Sequence, residues 1–401
     1  MKTNSARWQR IIGRHYAKVT ILLASLLITL LFVELTIFHV FDIKPPGYRP
    51  ERFFIFSHLT GVIHKPNAEG YWYGSNGKQH VSTNSYGFSD LPREVSKHRT
   101  RIALIGDSTT EFWEVDEEFR PQYTIEKMLE GKVEALNFGV RAYGTDQSYL
   151  LFKHIGIHFS PDIVVYLFCI NDPMDNVRRS GKPYFIVNSD GKLVLKGYPV
   201  SMPSSRSNEY IEYSDFPILR RIDRSLKDVS FIYRELRTHP GIRGLTGYHM
   251  PLDANFELRP YKKSYDEEDL DRMQITLKLI LELHRFVSSY GAKFLLVEGL
   301  YEPAGNPLIQ AELVKTYGDV FDFEKVTTIL EQFSTTHGIE FESLMRISQN
   351  QGIVASELVP HRDGIHMNNQ GAILYAKTIV AKLRSMNWLE DSDNVTRQSP
   401  E

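Results

Sequence analysis

The chain has 401 residues, of which 42% are hydrophobic and 24% are charged, and its formal net charge is −2. This balance is typical of a globular protein with a sizeable core, and it argues against wholesale disorder and against a global field that attracts nucleic acid or acidic substrates. The single cysteine, Cys169, excludes an intrachain disulfide, and no HExxH, CxxC or GxxxxGK[ST] motif supports zinc or P-loop chemistry.

The N-terminus has the pattern of a membrane anchor. Residues 1–18 carry five basic side chains and no acid, and the charge-free run VTILLASLLITLLFV begins at Val19. With Glu34 close to the distal interface, the segment 19–41 approaches the roughly 20 residues that a helix needs to cross a bilayer. The positive-inside rule then predicts a cytoplasmic tail, one transmembrane helix in the inner (plasma) membrane, and a periplasmic or extracellular remainder.

Two other interpretations of this segment stay open. A cleaved signal peptide has the same basic head and apolar middle, but bulky residues (FHVFDIKPPG, 38–47) stand where a small-residue cleavage site is expected. A buried globular helix is the other alternative, although such a helix usually shows a polar face.

Residues 42–99 are predicted to form a lead-in of short strands and turns. The prolines of KPPGYRPERF prevent a helix, and NAEGYWYGSNGKQHVSTNSYGF mixes aromatic residues with Gly and Asn. The aromatic side chains of Tyr71, Trp72, Tyr73 and Tyr86 are typical of a core or an interface, and stacking on sugar rings is the alternative.

Strands and helices alternate after residue 100. The predicted strands are RIALIG (101–106), VEALNFGV (133–140), PDIVVYLFCIND (161–172), AKFLLVEGL (292–300) and a short strand at 339–341. The predicted helices cover residues 121–132, 144–159, 267–290, 323–337 and 369–386. Repeated β–α units with apolar strands predict an α/β fold with three layers, α/β/α, around a mostly parallel sheet.

This alternation breaks between about residues 173 and 265. The stretch 183–200 is predicted to be a hairpin around Asp190-Gly191, and FPILRRIDRSLKDVSFIYREL (216–236) is predicted to be helical. An insertion of this length indicates a lid, a substrate-binding element or a mobile segment. The main domain is therefore predicted to span 100–388 around this insertion, and the polar tail 389–401 is predicted to be disordered.

Residues that could take part in catalysis follow three of the predicted strands. Because the carboxyl ends of parallel strands share one edge of the sheet, Ser108, Gly139 and Asn171 are expected to lie together. A serine at a strand-to-helix turn, a glycine amide open to a carbonyl and an asparagine N–H supply a nucleophile and an oxyanion hole. In HRDGIHMNNQG, Asp363 and His366 are spaced so that the carboxylate can orient an imidazole that faces the serine.

The same segments can also be interpreted as having structural roles alone. His366 could cap the last helix, and Asn137 could cap the loop that contains Gly139. Glu111, Glu114 and Asp116 are interpreted as solvated, non-catalytic residues near Ser108.

The blocks GDST, NFG, IND and DGIH, in this order over about residues 101–386, resemble the signature blocks of the SGNH (GDSL-type) hydrolase family. The resemblance implies an SGNH-hydrolase-like, flavodoxin-like fold with Ser108 as nucleophile, His366 as base and Asp363 as the acid that orients the base. The stretch VSTNSYGFSD, behind an N-terminal membrane segment, resembles membrane-anchored bacterial members of that family.

The resemblance also implies an oxyanion hole formed by the amides of Ser108 and Gly139 and the side chain of Asn171. One departure lies in the third block, which usually reads G-x-N-D and has Cys169 at the position of the glycine. This position lies behind the hole, so the departure changes no donor.

The sequence thus predicts a membrane-anchored serine esterase that cleaves acyl esters through an acyl-enzyme, with no cofactor and no metal. Acylated glycans or lipids of the cell envelope are the expected substrates. One alternative is an O-acyltransferase that passes the acyl group to a sugar hydroxyl with the same triad. Another is a non-catalytic envelope protein that binds a glycan or a partner through the insertion.

Overall fold

The structure is a computed structural model that describes residues 2–40, 53–74, 77–202, 257–359 and 364–389, with side chains except at 2–15 and 37–39. The predicted helix at 216–236, Asp363 and the tail beyond residue 389 lie outside these ranges. The chain divides into two compact units. Among the described residues the first unit contributes one N-terminal helix, and the second contributes everything from Phe53 onward.

The N-terminal helix, α1, covers Lys2–His39. Within it, the 21 residues Tyr16–Thr36 are long and apolar enough to cross a membrane, and none of them is buried inside the structure. The hydroxyls of Thr20 and Thr29 donate to backbone carbonyls one turn earlier, at 2.9 Å each, so these polar groups are satisfied without water. Length and composition of this kind are also found in signal sequences.

The lead-in forms two antiparallel hairpins. Strand β1 (Phe54–Ser57) pairs with β2 (Gly61–His64), and β3 (Glu69–Gly74) pairs with β4 (Gly77–Ser82). The predicted short strands are therefore confirmed.

A small aromatic core joins these hairpins to the segment that follows Ser108. Trp113 is fully buried, and its ring centroid lies 5.1 Å from that of Phe53 and 5.3 Å from that of Trp72. Trp72 is 2% exposed, whereas Tyr71 is 43% exposed on the other face of the same strand. The hairpins thus pack directly against the region of the predicted nucleophile.

The main sheet has five parallel strands in the spatial order β11-β10-β7-β5-β6. Its strands are β5 (Thr100–Ile105), β6 (Val133–Asn137), β7 (Ile163–Phe168), β10 (Lys293–Glu298) and β11 (Glu340–Ser343). In chain order this is 2-1-3-4-5, the flavodoxin-like order, as predicted. All six residues of β7 are buried, as expected for a central strand with both faces covered. A separate hairpin, β8 (Tyr184–Val187) and β9 (Leu193–Lys196), forms at the predicted Asp190-Gly191 turn.

Helices cover both faces of this sheet. They are α2 (Ser108–Glu111), α3 (Pro121–Met128), α4 (Thr145–His154), α5 (Asp172–Asp175), α6 (Glu267–Ser289), α7 (Glu302–Gly305), α8 (Pro307–Tyr317), α9 (Lys325–His337), α10 (Leu344–Asn350) and α11 (Asn369–Ser385). Helix α3 packs against α11, and α4 packs against α6. Because the β5–β6 and β6–β7 crossovers run in opposite directions along the sheet, right-handed connections place these two pairs on opposite faces. The predicted three-layer α/β/α fold is confirmed.

The differences from the predicted elements have local causes. Helix α3 ends at Met128 rather than at 132, because Glu130 and Gly131 adopt left-handed backbone angles with φ of 53° and 69°. Helix α4 ends at His154, and a short 3₁₀ turn, Gly156–Phe159, covers the rest of the predicted helix. Helices α8 and α10 were not predicted; α8 has no buried residue, and it contacts the core through the partly buried side chains of Leu313 and Tyr317.

Candidate active site

Ser108 lies where β5 ends and α2 begins, 6% exposed. Asp107 caps this helix: one of its carboxylate oxygens accepts hydrogen bonds from the amide and the hydroxyl of Thr109, at 2.8 and 2.7 Å. A side chain at Gly106 would place its Cβ 2.2 Å from the hydroxyl of Thr110, so the turn requires a glycine there. The amide of Ser108 has no hydrogen-bond acceptor within the part of the chain that the structure describes. The residues 106–116 that surround Ser108 are called the serine segment below.

His366 meets Ser108 across 258 positions of sequence. Its Nε2 lies 2.9 Å from the Oγ of Ser108, a hydrogen-bond distance, and the imidazole is partly buried. The residues that carry it, 364–369, are called the histidine segment. They are fixed by a bond from the amide of Glu302 to the carbonyl of Gly364, at 2.8 Å, and by Asn368, whose side chain caps α11.

Gly139 lies beside the serine segment at the end of β6. Its amide donates to the Oδ1 of Asn137 at 2.9 Å, while the Nδ2 of Asn137 donates to the carbonyl of Thr110 at 2.7 Å. A Cβ at Gly139 would lie 2.4 Å from the amide nitrogen of Glu111, so the glycine lets this turn pack directly on α2. The amide hydrogen of Gly139 is therefore occupied in this structure, and Asn137 is the cap of its loop.

Asn171 lies just beyond β7, at the switch point of the strand order next to Ser108. Its Nδ2 donates to the Oδ2 of Asp107 at 3.2 Å and to the Oδ2 of Asp175 at 2.7 Å. Its Oδ1 is buried and has no partner among the described residues. Both amide hydrogens thus point to carboxylates, one of which belongs to the cap of the serine helix.

Buried carboxyls crowd this edge of the sheet. Burial raises the pKa of Asp175 to about 6, although Arg178 and Lys182 act in the opposite direction. Burial and the nearby charge of Asp107 raise the pKa of Asp172 well above its usual range, and the hydroxyl of Tyr166 donates to its Oδ2 at 2.6 Å. The neutral form of Asp172 is therefore favoured, which limits the negative charge around Asp107.

A buried network of charged and polar side chains, not predicted from the sequence, lies next to Ser108 in the serine segment. Glu111 is fully buried and Glu114 is 3% exposed, so the interpretation of both as solvated residues was wrong. The Nε2 of His64 lies 2.6 Å from the Oε1 of Glu111, and Arg141 contacts Glu111 and Glu114 at 3.0 Å each. The indole of Trp72 donates to Glu114 at 3.0 Å. Both buried carboxylates therefore have polar partners in the core, and the guanidinium of Arg141 is shared between them.

The ionisation of this network follows from its contacts. Burial opposes the charge on Glu111, but Arg141 and His64 outweigh it and lower the pKa of the carboxyl. The Nδ1 of His64 lies 3.0 Å from the carbonyl oxygen of Gly87, so both ring nitrogens face oxygen acceptors. His64 and Arg141, the partners of Glu111, are 47 and 30 positions away from it along the chain. For this reason no local sequence pattern indicated the network.

Comparisons with known proteins give similarity to solved structures alone. No family model matches the chain, and no curated protein matches it. Among solved structures, a GDSL-like lipase from Bacteroides thetaiotaomicron is 12% identical with a TM-score of 0.34, covering 72% of this chain and 89% of that chain. An acetyl xylan esterase is 12% identical with a TM-score of 0.37, and the match covers 71% of this chain and 99% of that chain. A two-domain esterase active on acetylated mannans is 11% identical with a TM-score of 0.36, and the match covers 76% of this chain and 52% of that chain.

Likeness of this size establishes no activity for this chain. The function proposed below rests on the geometry around Ser108.

Proposed function

We propose that this protein is a serine esterase that hydrolyses acyl esters through an acyl-enzyme intermediate. The observation that carries the proposal is the 2.9 Å contact between the Nε2 of His366 and the Oγ of Ser108. A nucleophile and a base within hydrogen-bond reach, placed at the carboxyl edge of a parallel sheet, are the minimum that acyl transfer through serine requires.

In the proposed reaction, His366 accepts the hydroxyl proton of Ser108 as the Oγ forms a bond to the ester carbonyl carbon. The tetrahedral intermediate collapses when the imidazolium returns that proton to the leaving alcohol, which breaks the ester bond and leaves the acyl group on Ser108. Water then repeats the sequence: His366 takes its proton, hydroxide adds to the acyl carbon, and Ser108 leaves with the proton. Asp363 is the proposed partner that orients the imidazole.

The proposed oxyanion hole starts from the amide of Ser108, whose hydrogen has no acceptor in the described chain. The amide of Gly139 and the Nδ2 of Asn171 are the further proposed donors. Each is engaged in the present state, by Asn137 and by Asp107 and Asp175 respectively, so each has to exchange that acceptor for the developing oxyanion.

The proposed site works outside the cytoplasm, on acylated glycans or lipids of the cell envelope. Support comes from helix α1, whose 21-residue apolar stretch follows a basic N-terminal tail. A phosphatase fusion after residue 45 is expected to be active in a bacterial host. A silent fusion with an active cytoplasmic reporter at the same point would reverse this orientation.

The activity is tested on the full chain, purified in detergent, with p-nitrophenyl acetate and a panel of acylated oligosaccharides and longer-chain esters. Turnover is expected in the wild type and in Ser289→Ala, an exposed control serine at the end of α6, and is expected to be absent in Ser108→Ala. Asp363→Asn is expected to lower kcat because the imidazole loses its orienting carboxylate. Turnover retained in Ser108→Ala contradicts the proposal.

A further inference from the structure

The serine and histidine segments are tied together by a second pair of side chains, Asp116 and Asn369. The backbone amide of Asp116 donates to the Oδ1 of Asn369 at 3.0 Å. The Nδ2 of Asn369 donates back to the Oδ2 of Asp116 at 2.6 Å. One asparagine amide thus satisfies a donor and an acceptor of the same residue.

This pair joins the two segments that carry Ser108 and His366, so it can affect the geometry of the site. Asp116 ends the serine segment, and Asn369 is the first residue of α11, three positions after His366. Two stretches 253 positions apart in sequence are joined at this point, and the partly buried location shields the charge-assisted bond from water.

Contacts on both sides transmit the position of this pair to the reacting atoms. Between Ser108 and Asp116 the chain passes through Trp113 and Val115, both fully buried, so this stretch cannot shift freely. Between His366 and Asn369 lies Met367, which is 2% exposed. A change at the pair is therefore passed through buried side chains both to the turn that carries His366 and to Ser108.

We infer that Asp116 and Asn369 are positioning residues that set the distance between the Nε2 of His366 and the Oγ of Ser108. Proton transfer depends steeply on this distance, because a donor and acceptor must be within about 2.6–3.2 Å. Neither residue touches the reacting atoms, so their effect falls on kcat and not on KM. This inference rests on the proposed esterase function.

A charge swap provides the test. Asn369→Asp places two carboxylates face to face and removes the donor, which is expected to lower kcat for p-nitrophenyl acetate by about tenfold, with KM unchanged. The double variant, Asn369→Asp with Asp116→Asn, again has an amide donor at one position opposite a carboxylate at the other. Its kcat is expected to recover to within about threefold of that of the wild type. Gln370→Glu adds the same charge at the next, exposed position of α11 and serves as the control.

Thermal unfolding of each variant separates positioning from loss of folding. If Asn369→Asp fails to fold, Asn369→Ala replaces it, with the same expected loss of kcat and a melting curve close to that of the wild type. The inference is overturned if the single variants have the kcat of the wild type, or if the double variant is as slow as Asn369→Asp. In either case the proposed esterase function stands as long as the wild type turns over substrate. Absence of turnover in the wild type overturns both.

Discussion

The serine segment and the histidine segment meet at the Ser108–His366 contact and at the Asp116–Asn369 pair, but each is held in the fold by a different kind of contact. Behind Ser108, Glu111 is fully buried between Arg141 and His64. The histidine segment is held mainly by backbone and amide bonds, such as those from the amide and side chain of Asn368 to the carbonyls of Leu358 and Glu357, at 2.8 Å each.

The two halves of the site should therefore respond differently to substitution. Removing one member of a buried charge network leaves its partners unpaired in the core, so stability and activity fall together. Removing a partly exposed imidazole from a short turn leaves the core intact, so activity falls alone. Four predictions use this contrast.

The largest effect is expected on the histidine side, in activity. His366→Ala is expected to lower kcat/KM by at least about a hundredfold, because the imidazole acts as both general base and general acid. The midpoint of denaturant unfolding is expected to stay close to that of the wild type. A parallel loss of stability and activity would show that the histidine segment is not the separable half of the site.

On the serine side the expected loss is in stability. Glu111→Ala leaves Arg141 and His64 without their shared carboxylate, which is expected to cost about 3–5 kcal/mol of the free energy of unfolding. Equilibrium unfolding in urea measures this, with Glu118→Ala, an exposed acid in the same loop, as the control. A loss no larger than that of the control would mean that the buried network does not hold Ser108.

Buried carboxyls of this fold also differ in how they are compensated. Glu298, at the end of β10, faces the hydroxyls of Thr327 and Ser343, whereas Glu111 faces Arg141 and His64. Burial raises its pKa from 4.5 to about 7, against the effect of those hydroxyls. Since the folded state then binds the proton more tightly than the unfolded state, this group stabilises the fold fully below about pH 4.5 and loses that contribution as the pH rises through 7.

Glu298→Gln is therefore expected to match the wild type near pH 5 and to exceed its stability at pH 8 by up to about 3 kcal/mol. Urea unfolding at both pH values measures the difference, with Glu312→Gln on the exposed helix α8 as the control. A difference that does not depend on pH would show that Glu298 ionises as easily in the fold as in the unfolded chain.

The smallest effect is expected where the serine segment contacts helix α11 through aromatic rings. Phe112 stacks on Tyr375 of α11 with centroids 5.7 Å apart, and the buried hydroxyl of Tyr375 has no partner among the described residues. Tyr375→Phe keeps the stack and removes an unpaired polar atom, so stability is expected to be equal or higher by about 1 kcal/mol, with unchanged turnover. Calorimetric unfolding checks this, and a clear destabilisation would reveal an acceptor or donor for that hydroxyl.

The sheet was predictable because its signals are local. Strand β7 is a continuous apolar run, and α6 begins and ends within one residue of its predicted limits, 267–290, because an acidic first turn and a regular apolar stripe mark it. The short helix α8 was missed; it has no buried residue and contacts the core only through partly buried side chains.

The candidate site was predictable only in part, for the same reason. Strand ends and ordered motifs pointed to Ser108 and His366, which the structure brings within hydrogen-bond distance. The ties that hold them pair residues far apart in sequence, such as His64 with Glu111, and an isolated glutamate near a turn is most often solvated. No pattern of spacing distinguishes a buried acid of this kind from an exposed one.

The central claim is that Ser108 is a nucleophile activated by His366. Intact-mass and peptide-level mass spectrometry of the full chain after treatment with a fluorophosphonate tests it most directly. The predicted result is one adduct, located on Ser108, that forms more slowly in His366→Ala and does not form in Ser108→Ala. An unreacted wild-type chain, or an adduct that persists in Ser108→Ala, would contradict the account.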